Sequence, residues 1–420
     1  MRHEKTTSSI VLSLLEWFSK NARDLPWRRT HDPYAIHVSE IMLQQTQVKT
    51  VIPFWERWLR ELPTIESAAK ASSDKLHKLW EGLGYYTRVR NLQKAAQVIV
   101  ERHGGKFPKQ FDEVLALPGI GRYTAGAICS IAFNQPTPIL DGNVMRVLTR
   151  VFGIAENPKD KAANQKLWAL AEELVVKARE ISLPRSSRCE SAPFEIRENE
   201  LEPTHVGCYR VHGKEGQPSK VKHSQSLLTS APTIGNCSAL NQSLMELGAL
   251  ICTPRHAQCL ICPVQKLCVA FRTGRVEELP NLGERTQATA RRFVAFVLEQ
   301  DGKFLVRQRP AGVVNAHLWE FPNVEVAPRD DIGVAVKHFP EFEGVKWMPL
   351  VTVKHSITRY RITLEAVMGK MGTRPNLGLA KTRPSDAGAV WKTAGQMHTL
   401  AFTAAHKKIL ARIQHGLSSR

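Results

Sequence analysis

Leu117-Pro118-Gly119-Ile120-Gly121-Arg122-Tyr123-Thr124-Ala125 is the stretch that decides the fold of the first part of the chain. Apolar residues recur at helical spacing over 111–117 before it and over 122–133 after it, so it joins two predicted helices. Its two glycines permit a tight turn with positive φ and leave backbone N–H groups bare. Because the next helix adds its positive dipole end, the turn can hold a DNA phosphate. A lone Gly-x-Gly is more often only a turn, so the surrounding chain must decide.

Helical spacing continues on both sides of this turn and predicts an all-α region that ends before about residue 290. Two helices are expected within 35–61, joined near Pro53. The other predicted helices span 8–20, 74–81, 88–103, 143–152, 161–180 and 239–251. Residues 183–238 are rich in Ser, Pro, Glu and Lys and show little periodicity, which predicts a low-order insert.

From residue 292 the spacing becomes that of strands. RRFVAFVLEQDGKFLVRQRP, residues 291–310, predicts two strands joined by an Asp-Gly turn. VTVKHSITRYRITLEAVM, residues 351–368, predicts another strand pair, and a helix is expected over 401–414. The sequence therefore predicts a mixed α/β domain over 292–420, which follows a linker over 276–291.

The composition points to a polyanionic partner. The chain has 420 residues, a formal net charge of +19 and an isoelectric point of about 9.7. Nucleic acid is the first candidate partner of such a chain, and a merely basic soluble protein is the alternative. No run of about 18 apolar residues predicts a membrane span, and Met1 to Ser9 lack a signal-peptide core. We therefore expect an intracellular protein, where disulfides are rare.

Four cysteines fall within one short segment in the pattern C-x6-C-x2-C-x5-C, namely Cys252, Cys259, Cys262 and Cys268. Four thiolates this close together can wrap one metal centre. Either a tetrahedral zinc ion or a 4Fe–4S cluster fits thiolate ligation, and the spacing alone does not choose between them.

The hairpin and the cysteines combine with two acidic segments. Asp141 lies twenty positions after Gly121, in Ile139-Leu140-Asp141-Gly142-Asn143-Val144, and this combination resembles the helix-hairpin-helix superfamily of DNA glycosylases. The cysteine interval is similar to the one that holds a 4Fe–4S cluster in the endonuclease III and MutY families. His37-Val38-Ser39-Glu40-Ile41-Met42-Leu43-Gln44-Gln45-Thr46-Gln47-Val48 closely resembles the catalytic segment of the MutY-type adenine DNA glycosylases. The resemblance is close over 1–182 and 239–275.

The resemblance implies a role for each catalytic candidate. Glu40 would protonate adenine N7, and a Glu among apolar neighbours should have a raised pKa if it is buried. Without the motif, a Glu on an amphipathic helix would more often lie at the surface. Asp141 would stabilise an oxocarbenium-like sugar, by charge or by transient covalent attachment. Tyr123 and Asn143 would support these two carboxyl groups. Bifunctional members carry a Lys nucleophile where this chain has Tyr123, so monofunctional hydrolysis is expected.

The resemblance also implies contacts with DNA. Trp27 and Arg28 match the base-pocket segment of the family, and Glu246 matches a Glu that contacts adenine. Gln45 and Tyr85 match residues that wedge into the duplex, where they would fill the hole left by a flipped base. Read alone, Trp27 and Tyr85 would more often be core aromatics. The turn glycines Gly119 and Gly121 are assigned to phosphate binding.

Leu318-Trp319-Glu320-Phe321-Pro322 resembles a Nudix-like fold, which MutY proteins carry at the C-terminus; the resemblance over 292–420 is looser. No R-E-x-x-E-E-x-G run, whose carboxylates would bind magnesium, occurs between 322 and 345. The domain is therefore expected to read DNA rather than to hydrolyse nucleotides. The family recognises 8-oxoguanine through a Phe-Ser-His loop, where this chain has Ile357-Thr358-Arg359. Thr358 retains the hydroxyl group of the family's serine and is assigned to DNA binding. The alternative is that this loop is only a β-hairpin without a role in DNA binding.

The sequence thus predicts a multidomain protein with an all-α helix-hairpin-helix glycosylase region, a 4Fe–4S cluster and an α/β Nudix-like C-terminal domain. Its expected function is removal of adenine opposite 8-oxoguanine or guanine in double-stranded DNA, by a monomer in the cytoplasm or nucleoid of a bacterium. One rival is a glycosylase for thymine or another base on the same scaffold; Glu246 and Gln44-Gln45 favour adenine. The other is a non-catalytic DNA-binding protein, against which Glu40 and Asp141 argue.

Overall fold

Helices make up the first part of the chain. The computed structural model describes residues 2–181, 235–284, 287–357, 359–370 and 389–418. The described residues before Thr289 contain no strand, which confirms the predicted all-α region. Its helices are α1 (Arg2–Asn21), α2 (Pro33–Leu43), α3 (Val48–Glu61), α4 (Ile65–Lys70), α5 (Ser73–Trp80), α6 (Thr87–His103), α7 (Phe111–Leu115), α8 (Arg122–Phe133), α9 (Gly142–Phe152), α10 (Lys161–Glu180), α11 (Asn236–Leu250) and α12 (Val269–Arg272).

The predicted helix boundary at Pro53 is wrong. Pro53 lies inside α3, and the break between α2 and α3 falls earlier, at residues 44–47. Proline removes one backbone hydrogen bond from a helix, but α3 buries Val51 and two tryptophans, Trp55 and Trp58, on one face. Packing of that face keeps the helix continuous through Pro53. The short helix α4 had no counterpart in the predicted elements.

The hairpin between α7 and α8 forms as expected, with different roles for its two glycines. Gly119 has a φ of +77°, and a Cβ there would lie 2.5 Å from the Cβ of Asn91. Gly121 has an extended backbone with a φ of −97° and is the N-cap of α8, with open space where a Cβ would project. Only Gly119 therefore needs glycine for conformational reasons, which corrects the expectation of two positive-φ glycines.

Helix α11 begins inside the segment predicted to be a low-order insert. The side-chain oxygen of Asn134 accepts the backbone N–H groups of Cys237 and Ser238, at 3.0 and 3.1 Å. These two bonds satisfy donors that the first turn of a helix leaves free. Cys237 and Ser238 are themselves buried, so long-range packing starts the helix before its periodic pattern becomes visible. Most of the predicted insert, residues 183–234, lies outside the described residues.

In the described residues of the C-terminal domain, the strands form one mixed seven-stranded sheet. The expected strand pairs are present: β1 and β2 meet at an Asp301–Gly302 turn, and β5 pairs antiparallel with β6. β1 also pairs in parallel with β6, which joins the two strand pairs into one sheet. The strands are β1 (Thr289–Gln300), β2 (Lys303–Gln308), β3 (Trp319–Glu320), β4 (Asn323–Val326), β5 (Met348–Ile357), β6 (Tyr360–Lys370) and β7 (Ala389–Thr393). The helices here are α13 (Ile332–Val336), α14 (Ala394–Thr399) and α15 (Ala404–Ser418).

The sheet domain packs against α5 and α6 of the helical region. Leu318 and Ala401 belong to the apolar core of the helical region. Arg90 on α6 also donates to the carbonyl oxygen of Ala316, at 3.1 Å.

Among the described helices, none combines the length and the apolar character that crossing a bilayer requires.

The buried carboxylate of Glu81 forms hydrogen bonds and ion pairs with residues of both domains. Its Oε2 lies 2.9 Å from the ammonium groups of both Lys78 and Lys407, and its Oε1 accepts the backbone N–H of Phe402 at 3.2 Å. Lys78 also donates to the carbonyl oxygen of Leu400. Burial raises the pKa of Glu81, but hydrogen bonds from the two lysines outweigh this and hold it below its ordinary value. The carboxylate is therefore ionised where the two domains meet.

We predict that Glu81→Gln lowers the free energy of unfolding by about 1 kcal/mol, because both lysines are partly exposed and screened. Urea denaturation at neutral pH measures this loss, which should shrink in high salt. Since the pKa of Glu81 is lowered on folding, its contribution is present above the ordinary carboxyl pKa and is lost as the pH falls through the lowered value. Glu16→Gln, which breaks an exposed ion pair with Lys20, is the control; equal losses in both variants would contradict the prediction.

Candidate active site

One cavity of about 560 Å³ brings together residues predicted from distant segments. Its walls come from the 3-10 turn Pro26–Arg29, from α2 and the loop after it, and from α8, α9 and α11. The predicted site residues that line it are Trp27, Arg28, Glu40, Gln45, Tyr123, Asp141, Asn143 and Glu246. The cavity is therefore the candidate active site.

Glu40 is a buried carboxyl group with a single side-chain donor. It lies on α2 with 4% of its surface exposed, and the hydroxyl of Tyr123 donates to its Oε2 at 2.9 Å. Burial, and to a smaller extent the nearby Asp141, raise the pKa of Glu40, while the Tyr123 hydrogen bond and Arg28 lower it; the net result is a pKa of about 7. A carboxyl group with this pKa carries a proton in a large fraction of molecules at neutral pH.

Asp141 is the N-cap of α9. Its Oδ1 accepts the backbone N–H groups of Asn143 and Val144, at 3.0 and 2.8 Å, and its Oδ2 accepts Nδ2 of Asn143 at 3.1 Å. Burial raises the pKa of Asp141, although these hydrogen bonds and Arg146 lower it. Helix capping accounts for the two backbone hydrogen bonds to Oδ1, whereas among the described residues Oδ2 accepts only the Asn143 side chain. The position can therefore serve helix stability and chemistry at once.

Glu246 differs from the other two carboxyl groups because two arginines bind it. Its two oxygens accept hydrogen bonds from the backbone N–H of Arg23 and from the guanidinium groups of Arg23 and Arg28, at 2.7 to 3.2 Å. Burial raises the pKa of Glu246, but the arginine hydrogen bonds outweigh it and bring the value to about 2. Arg28 in turn donates to the side-chain oxygen of Gln242 at 2.9 Å. Glu246 is thus fully ionised at the wall of the cavity.

The predicted wedge residues lie on two exposed loops. Gln45 follows α2 with a φ of 56°, and Tyr85 precedes α6 with a φ of 48°. Tyr85 is 45% exposed, so it is not a core aromatic. Trp27 is buried edge-on against Trp55, with the ring centroids 6.1 Å apart. Trp27 therefore belongs both to the core and to the cavity wall.

Like Tyr85, the predicted DNA-binding positions Gly119 and Gly121 lie outside the cavity lining. Gly119 and Gly121 form the hairpin turn, where a phosphate-binding role stays a prediction. Thr358 lies outside the described residues. Next to it, the guanidinium of Arg359 lies over the ring of Tyr360, 5.2 Å from its centroid, and donates to its hydroxyl at 3.0 Å.

The four predicted metal ligands surround one small second cavity. Besides the cysteines, its lining is mostly apolar and contains one cation, Arg150. Arg150 donates to Sγ of Cys252 at 3.4 Å, and Sγ of Cys268 donates to the carbonyl oxygen of Arg150, also at 3.4 Å. Within the described residues, no three His, Cys, Asp or Glu side chains are placed to hold a metal ion. An all-sulfur donor set with a neighbouring cation and an apolar surround fits a thiolate-bound cluster.

Sequence reasoning missed the arginine that links these two cavities. Nε of Arg146 donates to the carbonyl oxygen of Cys252 at 2.8 Å, and its Nη2 donates to Oδ1 of Asn143 at 2.9 Å and to the carbonyl of Gly248 at 2.7 Å. Asn143 then donates to Asp141. Arg23, the partner of Glu246, was also missed. No periodicity or spacing marks either arginine, because each is defined by carbonyl or carboxylate partners distant in sequence.

Comparisons with known proteins agree with this geometry. Residues 38–173 match the HhH-GPD superfamily of base excision DNA repair proteins, and residues 293–412 match the NUDIX domain family. The chain is 32% identical to the adenine DNA glycosylase of Homo sapiens, an alignment that covers 96% of this chain and 73% of that protein. It is 30% identical to the adenine DNA glycosylase of Mus musculus, covering 94% and 76%. It is also 32% identical to the adenine DNA glycosylase of Buchnera aphidicola subsp. Acyrthosiphon pisum, covering 74% and 72%.

Proposed function

The chain belongs to the adenine DNA glycosylase family, and we propose that it hydrolyses the N-glycosidic bond of adenine opposite 8-oxoguanine or guanine in duplex DNA. The observation that carries this proposal is the single cavity in which a protonatable Glu40, an Asp141 and an ionised Glu246 meet. Acid-assisted cleavage of a glycosidic bond requires one carboxyl group that holds a proton and a second one that stabilises the charge on the sugar. We assign these roles to Glu40 and Asp141, and a binding protein without catalysis has no use for such a pair.

Glu40 acts as the general acid in this mechanism. With a pKa of about 7, it holds the proton that adenine N7 takes up when the bond to the sugar breaks. Tyr123 keeps the carboxyl group oriented, because its hydroxyl is bonded to Oε2 and leaves Oε1 for the base. A protonated adenine is the better leaving group.

Asp141 stabilises the positive charge that develops on the sugar as adenine leaves. Asp141 lines the cavity, where Asn143 orients its Oδ2 and the first turn of α9 fixes its Oδ1. Water then completes the hydrolysis. Tyr123 offers no amine for a Schiff base at the position where bifunctional relatives carry a Lys, so the reaction stops at an abasic site.

Adenine selectivity rests on Glu246. An ionised carboxylate can only accept hydrogen bonds, so it favours the N6 amino group of adenine over the O4 carbonyl of thymine. Arg23, whose side chain is about one-third exposed, is the partner with room to move when the base enters. This contact favours adenine over the rival assignment to thymine.

The remaining groups bind the cofactor and the opposite strand. The four cysteines would hold a 4Fe–4S cluster, which braces the segment after α11 and leaves the chemistry to the carboxyl groups. The C-terminal domain would read the base opposite adenine through the β5–β6 hairpin. Its residues 357–359 replace Phe and His of the family loop, so the preference for 8-oxoguanine over guanine is expected to depend on the hydroxyl of Thr358.

The first test is a single-turnover assay on a duplex with one adenine opposite 8-oxoguanine. Wild type should give strand breaks only after alkali, because abasic sites are the sole product. Glu40→Gln and Asp141→Asn should each lower the rate by at least about 100-fold, the scale of losing a general acid or a charge at the reacting centre. A parallel duplex with thymine opposite guanine tests the rival base. Breaks without alkali would refute monofunctional cleavage, and equal rates in Asp141→Asn and wild type would support a binding protein.

The excision rate should be flat in acid and fall as the pH rises through about 7, because only protonated Glu40 can donate. Above that pH the loss should approach tenfold per unit. Tyr123→Phe removes the hydrogen bond that lowers the pKa of Glu40, so its profile should bend at a higher pH than that of wild type. A wild-type profile with no basic limb near neutrality would overturn the assignment of Glu40.

Purified protein should contain about four iron atoms per chain and little zinc if the cysteines hold a 4Fe–4S cluster. Cys262→Ser should lose iron and the visible absorption of the cluster. Cys129→Ser is the matched control, because Cys129 is buried on α8 away from the second cavity and should keep both. One zinc ion per chain in wild type would establish the alternative left open by the cysteine spacing.

A further inference from the structure

The side chain of Arg88, in the first turn of α6, joins two loops, of which the first lines the cavity. The first loop, residues 44–47, carries Gln45, and the second, residues 81–86, carries Tyr85. Both residues have the positive φ that side-chain-bearing residues rarely adopt. Such a conformation persists only where the surrounding structure holds it.

The guanidinium of Arg88 binds acceptors from both loops. Nη1 donates to three carbonyl oxygens at the end of α2 and in the first loop, those of Ile41 at 2.8 Å, Met42 at 3.1 Å and Gln44 at 2.5 Å. Nη2 donates mainly to the second loop, to the carbonyl oxygens of Leu83 at 2.8 Å and Gly84 at 3.1 Å, with Thr46 Oγ1 at 3.4 Å.

This arrangement suits arginine and no other residue. The last carbonyl groups of α2 have no partner inside their own helix, and a cation there also meets the negative end of the helix dipole. Only a planar fork with several donors can bind two separate chain segments at once, whereas a lysine ammonium is a single point of charge. The guanidinium also lies over the rings of Trp80 and Tyr85, 5.4 and 5.7 Å from their centroids. Burial lowers the pKa of Arg88 to about 10, so it stays cationic at neutral pH.

We propose that Arg88 is a positioning residue for base flipping: it holds the Gln45 loop and the Tyr85 loop at a fixed separation, so that both side chains enter the duplex together. The proposal rests on the proposed function, because it takes the substrate to be a paired adenine that must leave the stack. Arg88 does not line the cavity and takes no part in the chemical step. Its effect should therefore be confined to substrates in which the adenine is still paired and stacked.

The test compares Arg88→Lys and Arg88→Gln with wild type on two duplexes. In one, adenine is paired with 8-oxoguanine; in the other, it faces an abasic site and is already unpaired. If the two loops lose their fixed separation, excision of the paired adenine should slow on the order of 100-fold. Excision of the unpaired adenine should slow much less. With 2-aminopurine in place of adenine, the fluorescence rise on flipping should be lost in both variants, while anisotropy shows DNA still bound.

Arg57→Lys is the matched control. Arg57 also donates to a backbone carbonyl, that of Leu79 at 2.6 Å, and lies over the ring of Phe54 at 4.8 Å. In both arginines Nε is buried without a partner among the described residues. Among the described residues Arg57 forms no hydrogen bond to either loop, so its variant should keep the paired-to-unpaired rate ratio of wild type.

Tyr85→Ala gives an independent measurement, because it removes a wedge and leaves the Arg88 hydrogen bonds to the backbone in place. If the two residues act in one step, the double variant should be little slower than Arg88→Lys alone. If Arg88→Gln does not fold, Arg88→Lys, which keeps the charge and the aliphatic stem, gives the same comparison. Equal slowing on paired and unpaired adenine would overturn the positioning role, whereas no excision by wild type on either duplex would instead refute the proposed function.

Discussion

Burial of three carboxyl groups around one cavity is the constraint on which the site depends. A buried carboxylate is costly unless donors or cations surround it, and each of the three has a different environment. Glu40 has one hydroxyl donor, from Tyr123, and its pKa rises to about 7. Glu246 has two arginines, and its pKa falls to about 2. Burial also raises the pKa of Asp141, although hydrogen bonds from the first turn of α9 act against that rise. The packing of α2, α9 and α11 therefore decides which group holds a proton.

Buried arginines connect that cavity to the rest of the helical region. Arg146 bonds the segment that begins at Cys252 to Asn143, and through it to Asp141. Arg88 donates to the carbonyl groups of Ile41 and Met42, one and two residues after Glu40, and also to the loop that carries Tyr85. In both cases the guanidinium satisfies carbonyl groups that irregular segments leave without partners. The helical region thus fixes its loops by charge-assisted bonds to backbone oxygens rather than by strand pairing.

Local signals in the sequence predicted most of the fold, and long-range contacts account for what they missed. Helix α8 and the Asp301–Gly302 turn follow from spacing and turn chemistry alone. The boundary at Pro53 was wrong because the buried face of α3 outweighs the proline, and α11 starts early because Asn134, more than a hundred residues away, caps it. The candidate site was predicted by resemblance for eight cavity residues. Arg23, Arg88 and Arg146 could not be found that way, because their partners become neighbours only after folding.

Tyr123 has two effects: it supplies no amine nucleophile, and it influences the pKa of Glu40. A lysine there would place an ammonium group beside the buried Glu40, and an opposite charge at that distance favours the ionised carboxylate. Glu40 would then lose the proton that adenine must receive. The neutral hydroxyl of Tyr123 lowers the pKa of Glu40 less than a full charge would, so the value stays near 7. In the proposed mechanism, a lysine ammonium at position 123 would therefore oppose acid catalysis by Glu40, whereas tyrosine leaves that carboxyl group able to carry its proton.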